Sequence, residues 1–144
     1  WTVGHVHSGA LGWVGMITMA SLYWLVPRLY GKTSMHSVKA IDLHFWLATL
    51  GIVLYVAAMW VAGVMQGLMW RAIDEDGTLT YTFVESIAAT FPFYVIRLLG
   101  GAMYLGGMVV MMWNVLKTRS VALRTAEGNT VPPIVPVLAP AAHT

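Results

Sequence analysis

Three long uncharged stretches constrain this chain most. No Asp, Glu, Lys or Arg occurs from Trp1 to Pro27, across the 26 positions from Phe45 to Trp70, or across the 19 from Leu98 to Leu116. A helix needs about 20 apolar residues to cross a bilayer's hydrocarbon core. Inside that core the backbone must satisfy its own hydrogen bonds, which a helix does within one segment. The sequence is 58% apolar and 10% charged, against ~25% charged in an ordinary soluble domain. The expected fold is therefore all-α and integral to the membrane, with spans at about residues 4–26, 41–69 and 90–116.

The remaining composition narrows the function classes. There are no cysteines, so thiolate metal sites and disulfides are excluded. A formal net charge of +2, spread along the loops, leaves no basic patch for nucleic acid. The chain opens inside an apolar run without an initiator Met and without a signal-peptide pattern, which reads as a piece of something longer.

Local signals place the connections. Pro27 and Gly31 are expected to end the first helix, and Asp42 to help start the second. Asp76-Gly77 marks a turn in a loop carrying Asp74, Glu75 and Asp76. These acids lack EF-hand spacing, so a solvated loop is expected rather than a calcium site. Pro92 fits a first turn or a kink of a third helix that starts between Thr82 and Phe91. The stretch 120–144, rich in Pro, Ala and Val, is read as a disordered cytoplasmic tail. Arg28, Lys32 and Lys39 follow the first span, and Lys117, Arg119 and Arg124 follow the third. The positive-inside rule puts both groups in the cytoplasm and the acidic loop outside.

Within the first span stands Gly4-His5-Val6-His7-Ser8-Gly9. Imidazoles in hydrocarbon are costly unless partnered. Residues i and i+2 of a helix lie ~200° apart, so His5 and His7 point to nearly opposite sides and cannot chelate one ion. Each could hold a separate metal centre, and a helix between two haems is the simplest object with this pattern. Gly9, Gly12 and Gly15 put small residues at i, i+3 and i+6, which suits either close helix packing or a flat macrocycle. His36 falls in the polar loop and is expected to be solvated. His44, beside Phe45 and Trp46, reads as a packing or interfacial residue rather than a ligand.

Two arginines complete the candidate set. His5 lies 23 residues before Arg28, or ~34 Å along a helix, which puts it toward the outer leaflet. Arg97, 20 residues before Lys117, falls at a similar depth, and Arg71 lies at the outer end of the second span. Arginines pair bidentately with carboxylates such as haem propionates; snorkelling to the headgroups is the alternative for both.

The run Trp1-Thr2-Val3-Gly4-His5-Val6-His7-Ser8-Gly9-Ala10-Leu11-Gly12-Trp13 resembles the tenth helix of the catalytic subunit of haem–copper oxidases. Its Ser-Gly-Ala-Leu-Gly-Trp continuation resembles the C-family, the cbb(3)-type cytochrome c oxidases. The resemblance continues through His44–Gly51, Gln66–Arg71 and Phe91–Gly101, and covers nearly everything up to Arg119. It implies that the three spans correspond to the last three of about a dozen helices of subunit I. It further implies two b-type haems, with His5 the proximal ligand of the high-spin haem and His7 an axial ligand of the low-spin haem. Val6 stands where A-family oxidases have Phe, so that aromatic bridge between haems is absent.

The family's activity is reduction of oxygen to water with electrons from cytochrome c, coupled to proton translocation, in the bacterial inner membrane. The implied partners are the remaining helices of subunit I, membrane-anchored c-type cytochrome subunits, oxygen and the lipid bilayer. The copper-binding histidines, the cross-linked tyrosine and the second low-spin axial histidine have no counterpart in this sequence. The segment alone is accordingly expected to be inactive, and three spans without their neighbours to pack poorly. Two other readings stay open on the residues: a nitric oxide reductase of the same superfamily, and a di-haem cytochrome b that only relays electrons. A structural membrane protein without haem is the plainest alternative.

Overall fold

The computed structural model describes residues 1–128, with side chains to Ala126. Three helices carry them: α1 (Thr2–Leu29), α2 (Val38–Met69) and α3 (Phe83–Gly128). All three are long and apolar enough to cross a membrane. No strand occurs among the described residues, so the all-α membrane fold is borne out.

The helix ends have identifiable causes, and several differ from the sequence expectation. Pro27 lies inside α1 and does not stop it. The stop is Gly31 at φ 64°, where Gly31 N donates to Arg28 O and Lys32 N to Pro27 O. This is the Schellman arrangement, which needs a left-handed residue. α2 starts at Val38 rather than near Asp42, because Ser37 Oγ caps it by accepting from Ala40 N at 3.2 Å. α3 starts at Phe83 behind a capping box: Thr82 N and Oγ1 donate to Glu85 Oε2, and Glu85 N donates to Thr82 Oγ1. Pro92 is therefore internal to α3, not in its first turn. At the other end α3 runs on to Gly128. Residues 120–128, assigned to a disordered tail from composition, are helical; the rest of that tail lies outside the described residues.

The α1–α2 and α2–α3 connections are folded. The first is clamped to α3 by Asn114, which is fully buried: its Oδ1 accepts from Ser37 N and its Nδ2 donates to Ser37 O. Beside it, His36 N donates to Thr118 Oγ1. The His36 ring itself is exposed, lying edge-on to Trp113. The second connection is a small hairpin with Asp74 N bonded to Thr78 O and Thr80 N to Ala72 O. Gly77 supplies its φ of 83°, a conformation glycine adopts without strain.

The main interface joins α2 to α3. At its centre the two backbones touch: a Cβ on Gly51 would lie 2.7 Å from Gly100 O, and one on Gly100 would lie 2.6 Å from Gly51 O. Small residues there permit the approach that membrane helices use in place of a hydrophobic drive. α1 is held more sparsely. Gly4 meets Trp60 and Met59 of α2, and Tyr104 of α3 donates to Leu11 O at 3.2 Å. Trp13 is 71% exposed, Leu98 73% and Leu105 65%. Exposure on that scale requires lipid or further helices against these faces.

Candidate functional site

The first two turns of α1 carry the histidine pair. His7 faces α2. Its ring lies 4.8 Å from that of Tyr55, and the Tyr55 hydroxyl stands 3.4 Å from His7 Nε2. His7 Nδ1–H donates to Val3 O at 2.7 Å. That bond sets the tautomer and leaves the Nε2 lone pair as the ligating atom. The Tyr55 contact is long for an O–H donor, so it is a weak competitor for that lone pair. His5 is exposed and stacks on Trp1, ring centroids 5.1 Å apart and planes within 10°. Among the described residues no hydrogen bond engages its ring nitrogens. The two imidazoles thus leave the helix toward different surroundings, one toward α2 and one outward.

After His7 the helix changes register. Ser8–Gly15 forms eight residues of π-helix. Long i→i+5 stretches are rare and recur at functional sites. The Tyr104 hydroxyl lies against this stretch, bonded to Leu11 O and 2.8 Å from where a Gly15 Cβ would be. Gly9 has open space beside it. An apolar furrow of about 320 Å³ runs between Ser8 and Gly12 on one side and Ile52, Val56 and Trp60 on the other.

Of the two arginines, the structure brings one to the histidine level. Met59 touches the Gly4 position, and its Sδ lies 3.7 Å from Arg97 Nη1. The Arg97 guanidinium sits 4.9 Å over the Tyr94 ring and has no carboxylate partner among the described residues. Arg71 is exposed in the turn after α2, twelve residues beyond Met59, or ~18 Å farther along the axis. It does not join Arg97.

The donor set fits haem on chemical grounds. Among the described residues no group of three or more His, Cys, Asp or Glu could hold a metal ion. A metal bound here by one imidazole needs its other ligands from a macrocycle or from elsewhere. A partly buried arginine without an anion suits a propionate.

Residues 1–103 match the cytochrome c and quinol oxidase polypeptide I family. The chain belongs to that family. It is 58% identical over 118 residues to the cbb3-type cytochrome c oxidase subunit CcoN1 of Stutzerimonas stutzeri, covering 82% of this chain and 25% of that protein. It is 54% identical over 127 residues to cytochrome c oxidase subunit 1 of Rhodobacter capsulatus, covering 88% and 24%. A nitric oxide reductase chain of Stutzerimonas stutzeri is 27% identical over 116 residues, covering 78% and 24%. The chain spans about a quarter of the length of these curated relatives. The resemblance read from the His-x-His run is borne out.

Sequence reasoning missed three features of this family member. Tyr55, 48 residues from His7, carried no motif linking the two. The π stretch left no mark beyond its glycines. His44, read as a packing residue, is 2% exposed and hydrogen-bonded to Tyr23 at 2.6 Å, a pairing that periodicity does not reveal.

Proposed function

We propose that this chain is the haem-carrying C-terminal part of the catalytic subunit I of a cbb3-type cytochrome c oxidase. The whole enzyme reduces oxygen to water with electrons from cytochrome c and couples this to proton translocation across the bacterial inner membrane. The observation that carries the reading is the divergence of His5 and His7, one exposed and one turned toward Tyr55 with its Nδ1–H fixed on Val3 O. His5 holds the high-spin haem b and His7 the low-spin haem b. When bound, these haems supply oxygen binding and electron transfer respectively.

This chain's own residues orient and balance the charges. The Val3 carbonyl fixes the His7 ring and raises its basicity. Trp1 supports one face of the His5 ring. Arg97 is the propionate partner, and Arg71 belongs to the outer surface. Ligands for copper B would come from helices outside this chain, and the assembly includes membrane-anchored c-type cytochrome subunits. The 58% identity to a cbb3-type oxidase chain, against 27% to a nitric oxide reductase chain, favours the oxidase.

The test uses the full-length complex. His5→Ala should abolish carbon monoxide binding and oxygen reduction while the low-spin haem spectrum persists. His7→Ala should remove the low-spin spectrum and stop electron delivery, leaving the ligand-binding haem. Two assembled variants that lose the same haem refute the two-sided arrangement.

A further inference from the structure

The α2–α3 seam opens at its loop end into an apolar groove. Lys39, Ala40 and Leu43 of α2 form one wall and Val109, Val110 and Trp113 of α3 the other, around about 460 Å³. Chain direction orders these residues. Lys39 stands in the first turn of α2 and Leu43 one turn deeper, while Trp113 lies one turn nearer the loop end than Val109. The charged and aromatic side chains therefore rim the mouth, and aliphatic ones line the depth.

The mouth is built by the fold itself. Asn114, next to Trp113, is fully buried and clamps Ser37 through both ends of its amide, and Thr118 Oγ1 accepts from His36 N. These bonds pin the start of α2 to α3 and hold Lys39 across the groove from Trp113. The exposed His36 ring lies edge-on to Trp113, ring centroids 5.6 Å apart. Lys117 follows Trp113 by one turn on the same stripe of α3 as Val109. Both lysines are exposed, and no ion pair among the described residues engages either. Asp42, the carboxylate nearest Lys39 in sequence, is not part of the groove's lining.

Whatever fills this groove must be apolar along its length and anionic at one end. An apolar helix meets the first requirement and leaves the ammonium groups unanswered. A phospholipid meets both, in the order that the membrane normal imposes: headgroup at the mouth, acyl chain below it. Lysine stems bordering hydrocarbon with their ammonium groups at the headgroups are the usual form of such a contact, and tryptophan favours the same level. The positive-inside reading puts this end in the cytoplasmic leaflet, where basic pockets between helices hold anionic headgroups.

We propose that the groove binds one anionic phospholipid, its phosphate held by Lys39 and Lys117 and one acyl chain laid between Leu43 and Val109. The site rests on the three spans lying in a bilayer and is independent of the haem assignments.

The test takes the full-length complex in phosphatidylcholine vesicles doped with phosphatidylglycerol that carries a diazirine on one acyl chain. Irradiation followed by peptide mass spectrometry should place label around Leu43 and around Val109–Trp113. The same chain on a choline headgroup should label these stretches less. A lysine near an anionic surface is worth about fivefold in binding, so one or two of them predict a preference of about 5- to 25-fold. Lys39→Gln combined with Lys117→Gln changes only exposed side chains and should bring the two probes level. Val109→Trp fills the groove from an exposed position and should remove the label around Leu43 for both probes. Equal labelling by the two headgroups in the wild type overturns the anionic preference, whether or not Val109→Trp assembles. A preference that survives in the double lysine variant overturns the headgroup assignment. Absence of label from both stretches shows a neighbouring helix covering the groove and overturns the lipid site.

Discussion

Replacing Gly100 by Ala tests whether the α2–α3 crossing is a backbone contact. The new Cβ would stand 2.6 Å from Gly51 O, 2.8 Å from Tyr55 N and 3.2 Å from Leu54 Cβ. A carbon normally approaches a carbonyl oxygen to about 3.3 Å, so the shortfall is about 0.7 Å. Two of the three obstacles are main-chain atoms of a helix, which cannot swing aside as a side chain can. The helices must part, and a gap of that size forfeits about a quarter to a half of each contact's attraction. Overpacking of this kind costs about 1–3 kcal/mol, while alanine's better helix propensity returns up to ~1 kcal/mol. Gly101→Ala is the comparison, since its Cβ would meet Tyr55 Cδ2 at an ordinary 3.9 Å. It keeps the propensity gain without the clash. The propensity gain cancels between the two adjacent variants, which should differ by the overpacking cost of about 1–3 kcal/mol, roughly 5- to 150-fold in the unfolding constant. Steric-trap unfolding of the full-length subunit in detergent measures this directly. Gly51→Ala combined with Gly100→Ala should cost less than the sum, because the first parting makes room for the second. Equal stability of Gly100→Ala and Gly101→Ala refutes the argument.

Further outcomes follow from individual contacts. Arg97→Leu removes a cation held, among the described residues, by Met59 Sδ and the Tyr94 ring; redox titration should find a haem potential lowered, or haem partly lost. Asn114→Ala orphans Ser37 N and O in a buried clamp, with an expected loss of about 2–4 kcal/mol, seen as faster amide exchange at Ser37 and a frayed start of α2. The hydroxyl and N–H of Thr78 hold the exposed Asp76 carboxyl below its usual range. The turn is therefore fully supported above the unfolded carboxylate value near ~3.9 and loosens as pH falls through the depressed one; amide exchange at Thr78 should accelerate only in strong acid. A cysteine placed at Gly77 should react with an impermeant reagent added outside intact cells, and reaction only after permeabilisation reverses the topology.

Some of this protein was legible residue by residue. Hydrocarbon makes each span satisfy its own backbone, so runs such as Phe45–Trp70 determine helices without reference to partners. The helical period alone separates His5 from His7 by most of a half-turn, and the motif around them suffices for the family. The caps at Ser37 and Thr82-Glu85 were also present as local patterns, although acid placement and Pro92 drew attention elsewhere. Tertiary structure decided the rest, because those contacts join residues whose sequence separation carries no code. Tyr55 meets His7 across 48 positions and Tyr23 meets His44 across 21. Tyr104 reaches Leu11 O in the π stretch across 93. Arg71 and Arg97 looked alike as cations near a span end, and only the α2–α3 crossing at Gly51 and Gly100 sets Arg97 beside Met59 while leaving Arg71 in the exposed turn after α2. Period and hydropathy determine which side of a helix a residue takes; what stands opposite it depends on how closely the backbones approach.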